Sequence, residues 1–130
     1  MPNASTLQQH VTDKVWGESI ALYRDDAIEV AKVRIKPGGY SSAHRHQHKH
    51  NQFVVLVGEL RIAFGRQGDS EITLTTGQTC EVVAGVWHRF VAATYVEALE
   101  IYRSADGTNV DPDDIEREDV GGVLEPDCVL

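Results

Sequence analysis

Residues 44–58 read His-Arg-His-Gln-His-Lys-His-Asn-Gln-Phe-Val-Val-Leu-Val-Gly, and four histidines on alternate positions ahead of an apolar run restrict what the chain can become. In a β-strand, side chains two apart share a face, so His44, His46, His48 and His50 are expected to address one pocket. That is a ligand arrangement for a borderline metal ion. On a helix only His44 with His48, or His46 with His50, would share a face, and no helical apolar repeat accompanies them. The β-branched run Phe53 to Val57, stopped by Gly58, favours strand.

The rest of the chain repeats that pattern. Apolar residues alternate from Ser19 to Ile35 around an Arg24-Asp25-Asp26 turn, which predicts a pair of half-buried strands. Lys36-Pro37-Gly38-Gly39 is a turn by its proline and glycines. Strands are expected over Gly58 to Phe64, Glu71 to Leu74, Thr79 to Val83, His88 to Ala93 and Tyr95 to Tyr102, with glycine-bearing turns between them. About eight to ten short strands and no helical stretch before residue 105 describe an all-β sandwich or small barrel. The expected organisation is an N-terminal arm over 1–13, a barrel over 14–105 and an acidic C-terminal tail over 106–130. The tail reads as mobile, with a short turn of helix starting at Pro112 and Asp111 as its N-cap. At 130 residues the chain suits one core.

Charge and cysteine content narrow the function classes. The formal net charge of −8 and the absence of a basic stripe argue against nucleic-acid and anionic-membrane partners. No apolar run approaches the roughly 20 residues of a transmembrane helix. Cys80 and Cys128 are too few for a disulfide framework, and Cys80 reads as a small buried hydrophobe. Met-Pro-Asn-Ala-Ser has neither the basic nor the apolar part of a signal peptide, so a cytoplasmic setting is expected.

Two separated segments carry a family pattern. Gly38, His44, His46, Asn51 and Gly58 resemble, in type and spacing, the first motif of the cupin superfamily. Gly77, Val83, Gly85, His88 and Ala92 resemble the second, with valine for the usual proline and alanine for the usual asparagine. The resemblance covers roughly residues 14–105 and implies a double-stranded β-helix, or jelly-roll, barrel. It also implies a divalent transition ion (Mn, Fe, Ni or Zn) held by His44, His46 and His88, with Asn51 in the fourth place where glutamate is normal. His50 is the alternative to Asn51, since the pattern tolerates one residue fewer. Three neutral imidazoles leave coordination positions open for water or a ligand. An amide in place of a carboxylate leaves the ion its full charge, which favours an anionic ligand.

Lys14-Val15-Trp16-Gly17 and Ile35 to Ser42 resemble the opening and the ligand-strand turn of type II mannose-6-phosphate isomerase domains. Asp113 to Asp119 followed by Gly121 resembles their closing segment, without its Tyr-Gly-Arg. The resemblance implies a small anionic metabolite, a sugar or sugar phosphate; for a metal-dependent enzyme on such a ligand, a pocket carboxylate is expected to move the proton, with Glu97 or Glu100 on the last strand as the candidates. Alternation turns only one of the two inward. Two other readings stand beside it, a non-catalytic small-molecule sensor and a metal-dependent dioxygenase with Phe53, Trp87 and Phe90 lining an aromatic pocket. Small cupins commonly pair through edge strands, so a homodimer is expected, with the N-terminal arm either loose or a strand offered to the partner.

Overall fold

The structure, a computed structural model, describes residues 4, 6 and 10–125. In chain order the strands are β1 (Val11–Lys14), β2 (Gly17–Arg24), β3 (Ile28–Ile35), β4 (Gly39–Tyr40), β5 (His44–Arg45), β6 (Lys49–Val57), β7 (Glu59–Phe64), β8 (Ser70–Thr75), β9 (Thr79–Val82), β10 (His88–Ala92), β11 (Val96–Ser104), β12 (Glu116–Arg117) and β13 (Gly122–Val123). One sheet has the order β1-β2-β3-β11-β6-β9. In the other, β10 lies between β7 and the β4–β5 run, β8 continues beyond β7, and β12 and β13 line the far side of β5 and β4. Neighbouring strands pair antiparallel throughout, and the two sheets face each other as a jelly-roll barrel.

Alternation decides which side chains fill the barrel. Val33, Ile35, Phe53, Val55, Val96 and Ala98 face inward from the first sheet and Leu60, Ile62, Phe90 and Ala92 from the second, each at most 2% exposed. The same inward rows change character towards one end. On β6 they run Val55, Phe53, Asn51, Lys49, and on β11 they run Val96, Ala98, Glu100, Tyr102. Tyr102 pairs with Asn51 across these two strands, and His88 of β10 pairs with His44 of β5. One end of the barrel is therefore packed with hydrocarbon while the other collects polar groups on the inside.

The turns follow their residue chemistry. Asp25 Oδ1 accepts the amides of Ala27 and Ile28 at 2.8 Å each, closing the β2–β3 turn. Gly58 separates β6 from β7 at φ +96°, and a Cβ there would stand 2.1 Å from the Tyr95 carbonyl oxygen. Only glycine meets both conditions.

Two expectations change. The acidic segment after residue 105 does not hang free over its described part: β12 and β13 add to the second sheet, and the Leu124 amide donates to the Gly38 carbonyl at 2.9 Å. No helix starts at Pro112. Asp111 Oδ1 accepts the Asp113 amide at 2.9 Å in a single turn, and the chain is then drawn out along β5. At the other end of the chain, Val11–Lys14 pairs with β2. Residues 1–3, 5 and 7–9 of the arm, and Cys128 with the rest of 126–130, lie outside the described residues.

Candidate metal centre

The polar end of the barrel is built around three histidines from two strand segments. His44 and His88 face the same side because they are direct cross-strand partners. His46 follows two residues later and joins them. Ring centroids are 4.3 Å apart for His44 and His88, 5.1 Å for His44 and His46, and 5.6 Å for His46 and His88. Among the described residues these three form a group whose ligand atoms lie within 4.8 Å of one another.

Each ring is held by its outer nitrogen. The Nδ1–H of His44 donates to the Ser42 carbonyl at 2.8 Å, that of His46 to the Asp114 carbonyl at 2.7 Å, and that of His88 to the Val86 carbonyl at 2.9 Å. A carbonyl accepts only, so the proton sits on Nδ1 and the lone pair is on Nε2. The Nε2 atoms of His46 and His88 are buried and have no hydrogen-bond partner. Buried polar atoms are normally satisfied, so these two orphaned acceptors fit a metal ion. Burial and the neighbouring His88 push the His44 pKa down to about 2, burial pushes His46 down to about 4, and burial lowers His88. All three are neutral donors at neutral pH.

The remaining members of the run separate. Asn51 is 1% exposed and faces inward, and both its amide oxygen and its amide nitrogen lack partners. His50 lies on the other face of β6, where its Nδ1 accepts the Ala84 amide at 3.0 Å, so the structure does not bring it to the cluster. His48 is exposed and pairs with Asp106 at 2.7 Å. The strict alternation fails because β5 ends at Arg45 and β6 begins only at Lys49. The Asp114 carboxylate accepts the amides of Gln47 and His48 at 2.9 Å each, and this turn advances the phase by one residue. Lys49 and Asn51 thereby take the inward positions that the spacing assigned to His48 and His50.

The two carboxylate candidates fall on opposite faces. Glu97 points outward and pairs with Lys32 at 2.9 Å and Arg34 at 3.6 Å. Glu100 is buried, accepts the Tyr102 hydroxyl at 2.7 Å, and lines a cavity of about 700 Å³ shared with His44, His46, Lys49, Tyr102 and Phe90. Burial raises the Glu100 pKa, against the lowering effect of the Tyr102 bond, and burial with Glu100 beside it raises that of Tyr102. Tyr102 also stands edge-on to His46, at 5.3 Å between centroids. Of the aromatic candidates, Phe53 and Phe90 belong to the core, with Phe90 also reaching the cavity, and Trp87 is stacked by Arg45 and Arg66 at its flank. Sequence reasoning missed Tyr102, Lys49 and Asp114. The inward phase of β11, counted from Ala98, identifies Tyr102. The phase of Lys49 depends on a turn that no local signal marks.

A two-sheet antiparallel barrel with three histidines converging inside one end carries a candidate metal centre. The chain belongs to the cupin family: the sequence model described as "Cupin domain" matches residues 31–102. It is 28% identical over 108 residues to the xanthan biosynthesis protein XanB of Xanthomonas campestris pv. campestris (strain B100), covering 82% of this chain and 22% of that one. The chain thus spans about a fifth of the curated relatives it matches. Similar solved structures include KdgF from Halomonas sp., with a TM-score of 0.68 and 13% identity over 82% of this chain and 97% of that one. Oxalate decarboxylase from Bacillus subtilis gives a TM-score of 0.71 and 14% identity over 91% of this chain and 33% of that one. These two likenesses concern the fold. Among the described residues, no helix is long and apolar enough to cross a membrane.

Proposed function

We propose that the chain is a metal-binding cupin that binds or acts on a small anionic metabolite of the sugar or sugar-phosphate class. The observation that carries this reading is the pair of buried, partnerless Nε2 atoms on His46 and His88, with all three rings fixed by carbonyls on their far side. His44, His46 and His88 hold a divalent transition ion, with the Asn51 amide beside them. When bound, the ion supplies Lewis acidity to an oxygen of the ligand. Glu100 is the proton-moving group: it lines the cavity, and burial raises its pKa above the ordinary carboxylate value, which strengthens it as a base. Tyr102 orients it through the hydroxyl bond. Glu97, tied to two cations outside the barrel, has no part in the reaction. The turn and closing-segment resemblances around residues 14–17, 35–42 and 113–121, together with the name of the xanthan relative, support a sugar-derived ligand.

The experiment is elemental analysis of untagged protein purified without nickel resin, alongside His88→Ala. Near-stoichiometric metal in the parent and its loss in the variant are expected. Metal retained in His88→Ala would place it on the histidine run and sink the barrel site. A metal-free parent would leave a binding module, the second reading, which the neutral Asn51 in a carboxylate's usual place favours. Ferrous-dependent oxygen uptake would select the dioxygenase instead.

A further inference from the structure

Lys49 is a buried charge that meets no opposite charge in an ion pair among the described residues. It is 3% exposed and lines the cavity beside His46. Its ammonium donates to the Asp111 carbonyl at 2.8 Å and stands 4.4 Å from the Tyr102 ring centroid. An ammonium has three donors, so one carbonyl does not satisfy it. Glu29, Asp111, Asp114 and Glu100 act on it through space, yet among the described residues Lys49 forms no ion pair. Removing a charge from water is costly unless an opposite charge meets it.

Two further cations reach the same cavity. The β12–β5 ladder sets Arg117 directly opposite His44, and cross-strand partners share a face. Lys14, at the end of β1, lines the cavity from the other sheet. Among the described residues neither forms an ion pair, whereas the cavity's other cation, Arg24, faces Glu29 at 3.8 Å. Asp13 and Glu29 also line the cavity, and Glu100 is engaged by Tyr102. Lys14 and Arg117 lie outside the stretch 31–102 matched by the family model, on the opening and closing segments that flank it.

We infer that Lys49, with Arg117 and Lys14, forms a subsite for the terminal anionic group, a carboxylate or a phosphate, of a ligand seated against the histidine cluster. The inference rests on the reading of the cavity as a ligand site but not on the metal. Lys49 supplies the desolvated charge at the base, and the planar guanidinium of Arg117 suits two oxygens of the same group. A cavity of about 700 Å³ leaves room for a small carbon skeleton between that group and the histidines.

The test uses the full chain freed of metal by chelator, which separates it from the metal question. Thermal unfolding is followed in inorganic phosphate, in acetate and in chloride at matched ionic strength, for the parent, Lys49→Met and Arg117→Gln. Phosphate or acetate is expected to raise the parent's Tm beyond chloride, and whichever raises it more identifies the anion class. The anion-dependent rise is expected to vanish in Lys49→Met and to fall by at least half in Arg117→Gln. Because the increment is read within each variant, a change in baseline stability does not obscure it. Should Lys49→Met fail to fold, the double variant Lys14→Gln/Arg117→Gln decides, with loss of the rise expected. No rise in the parent, or an undiminished rise in the variants, overturns the subsite. An anion effect retained in a chain that takes up no metal would overturn the metal centre and leave the subsite standing.

Discussion

Asp114 acts on the histidine run through three bonds: its carbonyl fixes His46, and its carboxylate takes the amides of Gln47 and His48. Those amides have no other strand to pair with at the turn. Asp114→Ala is therefore expected to destabilise the metal-free chain by about 1–3 kcal/mol, the range for stranding hydrogen-bonding groups. It is also expected to weaken metal binding by about tenfold, as loss of a ligand's supporting shell does. Urea unfolding and a competition titration with a chromophoric chelator check the two effects, and unchanged metal affinity would show that the turn holds without the carboxylate. Asn51 gives the converse case. Both its amide atoms are buried and unmatched, so Asn51→Glu is expected to raise metal affinity by at least about tenfold. The same change buries a carboxylate in the metal-free chain and lowers its Tm. A variant that binds metal no better would remove Asn51 from the site. At this scale the sequence made His44, His46 and His88 legible because their spacing is set within and between strands. Strict alternation puts His48 and His50 where Lys49 and Asn51 stand, because one carboxylate, 66 and 67 residues away along the chain, resets the phase; the family spacing picks out Asn51 but not Lys49.

Among the elements, the long strands announce themselves and the short ones do not. β3, β6, β7 and β11 bury one face each, so period-two alternation is written into them. β12 and β13 are two residues long and exposed to half-buried, and no period exists in two residues. Their placement depends on the edge that β4 and β5 leave open, a property of the assembled sheet. Three ion pairs, Arg45–Glu116, Arg66–Glu118 and Arg89–Asp119, accompany this strap, and Asp119 Oδ1 also takes the Ala43 amide at 2.9 Å. Surface pairs contribute little singly, so the backbone bonds hold the strap. Gly121 lies close against the barrel: a Cβ there would lie 2.3 Å from the Tyr40 carbonyl oxygen. Gly121→Val is expected to lift the strap while sparing the core. Amide exchange should accelerate at Ala43 and Leu124, whose amides bond across this contact, and should stay slow at Phe53 and Val55. Uniform acceleration across the chain would mean that the strap and the barrel unfold as one.

The barrel as a whole stores its histidines uncharged, and that ties its stability to pH. His44, His46 and His88 have pKa values below the ordinary 6.5, to about 2 for His44 and about 4 for His46. In the unfolded chain they titrate near that ordinary value. As pH falls below it, the unfolded state takes up protons that the folded state refuses, so stability is fully present above about pH 6.5 and declines below it. The loss runs at no more than about 1.4 kcal/mol per pH unit for each histidine until the folded group itself titrates. Asp114 and Asp119 shift the other way in window. Burial alone would raise them, but the amides of Gln47 and His48 on Asp114, and Arg89 and the Ala43 amide on Asp119, bring both below the ordinary 3.8. Their contribution is present above that value and is lost only as pH drops through the lowered folded values. Chelator-treated protein is therefore expected to lose stability in two stages, first between about pH 6.5 and 4, then below about pH 4. Urea midpoints at pH 7.5, 6, 5 and 4 read the first stage directly. In His44→Gln the slope across that stage should be shallower, since one refused proton is gone. A midpoint that stays level from pH 7.5 to 5 would mean that the three imidazoles are not held neutral inside the barrel, and the case for their Nε2 atoms as metal donors would fall with it.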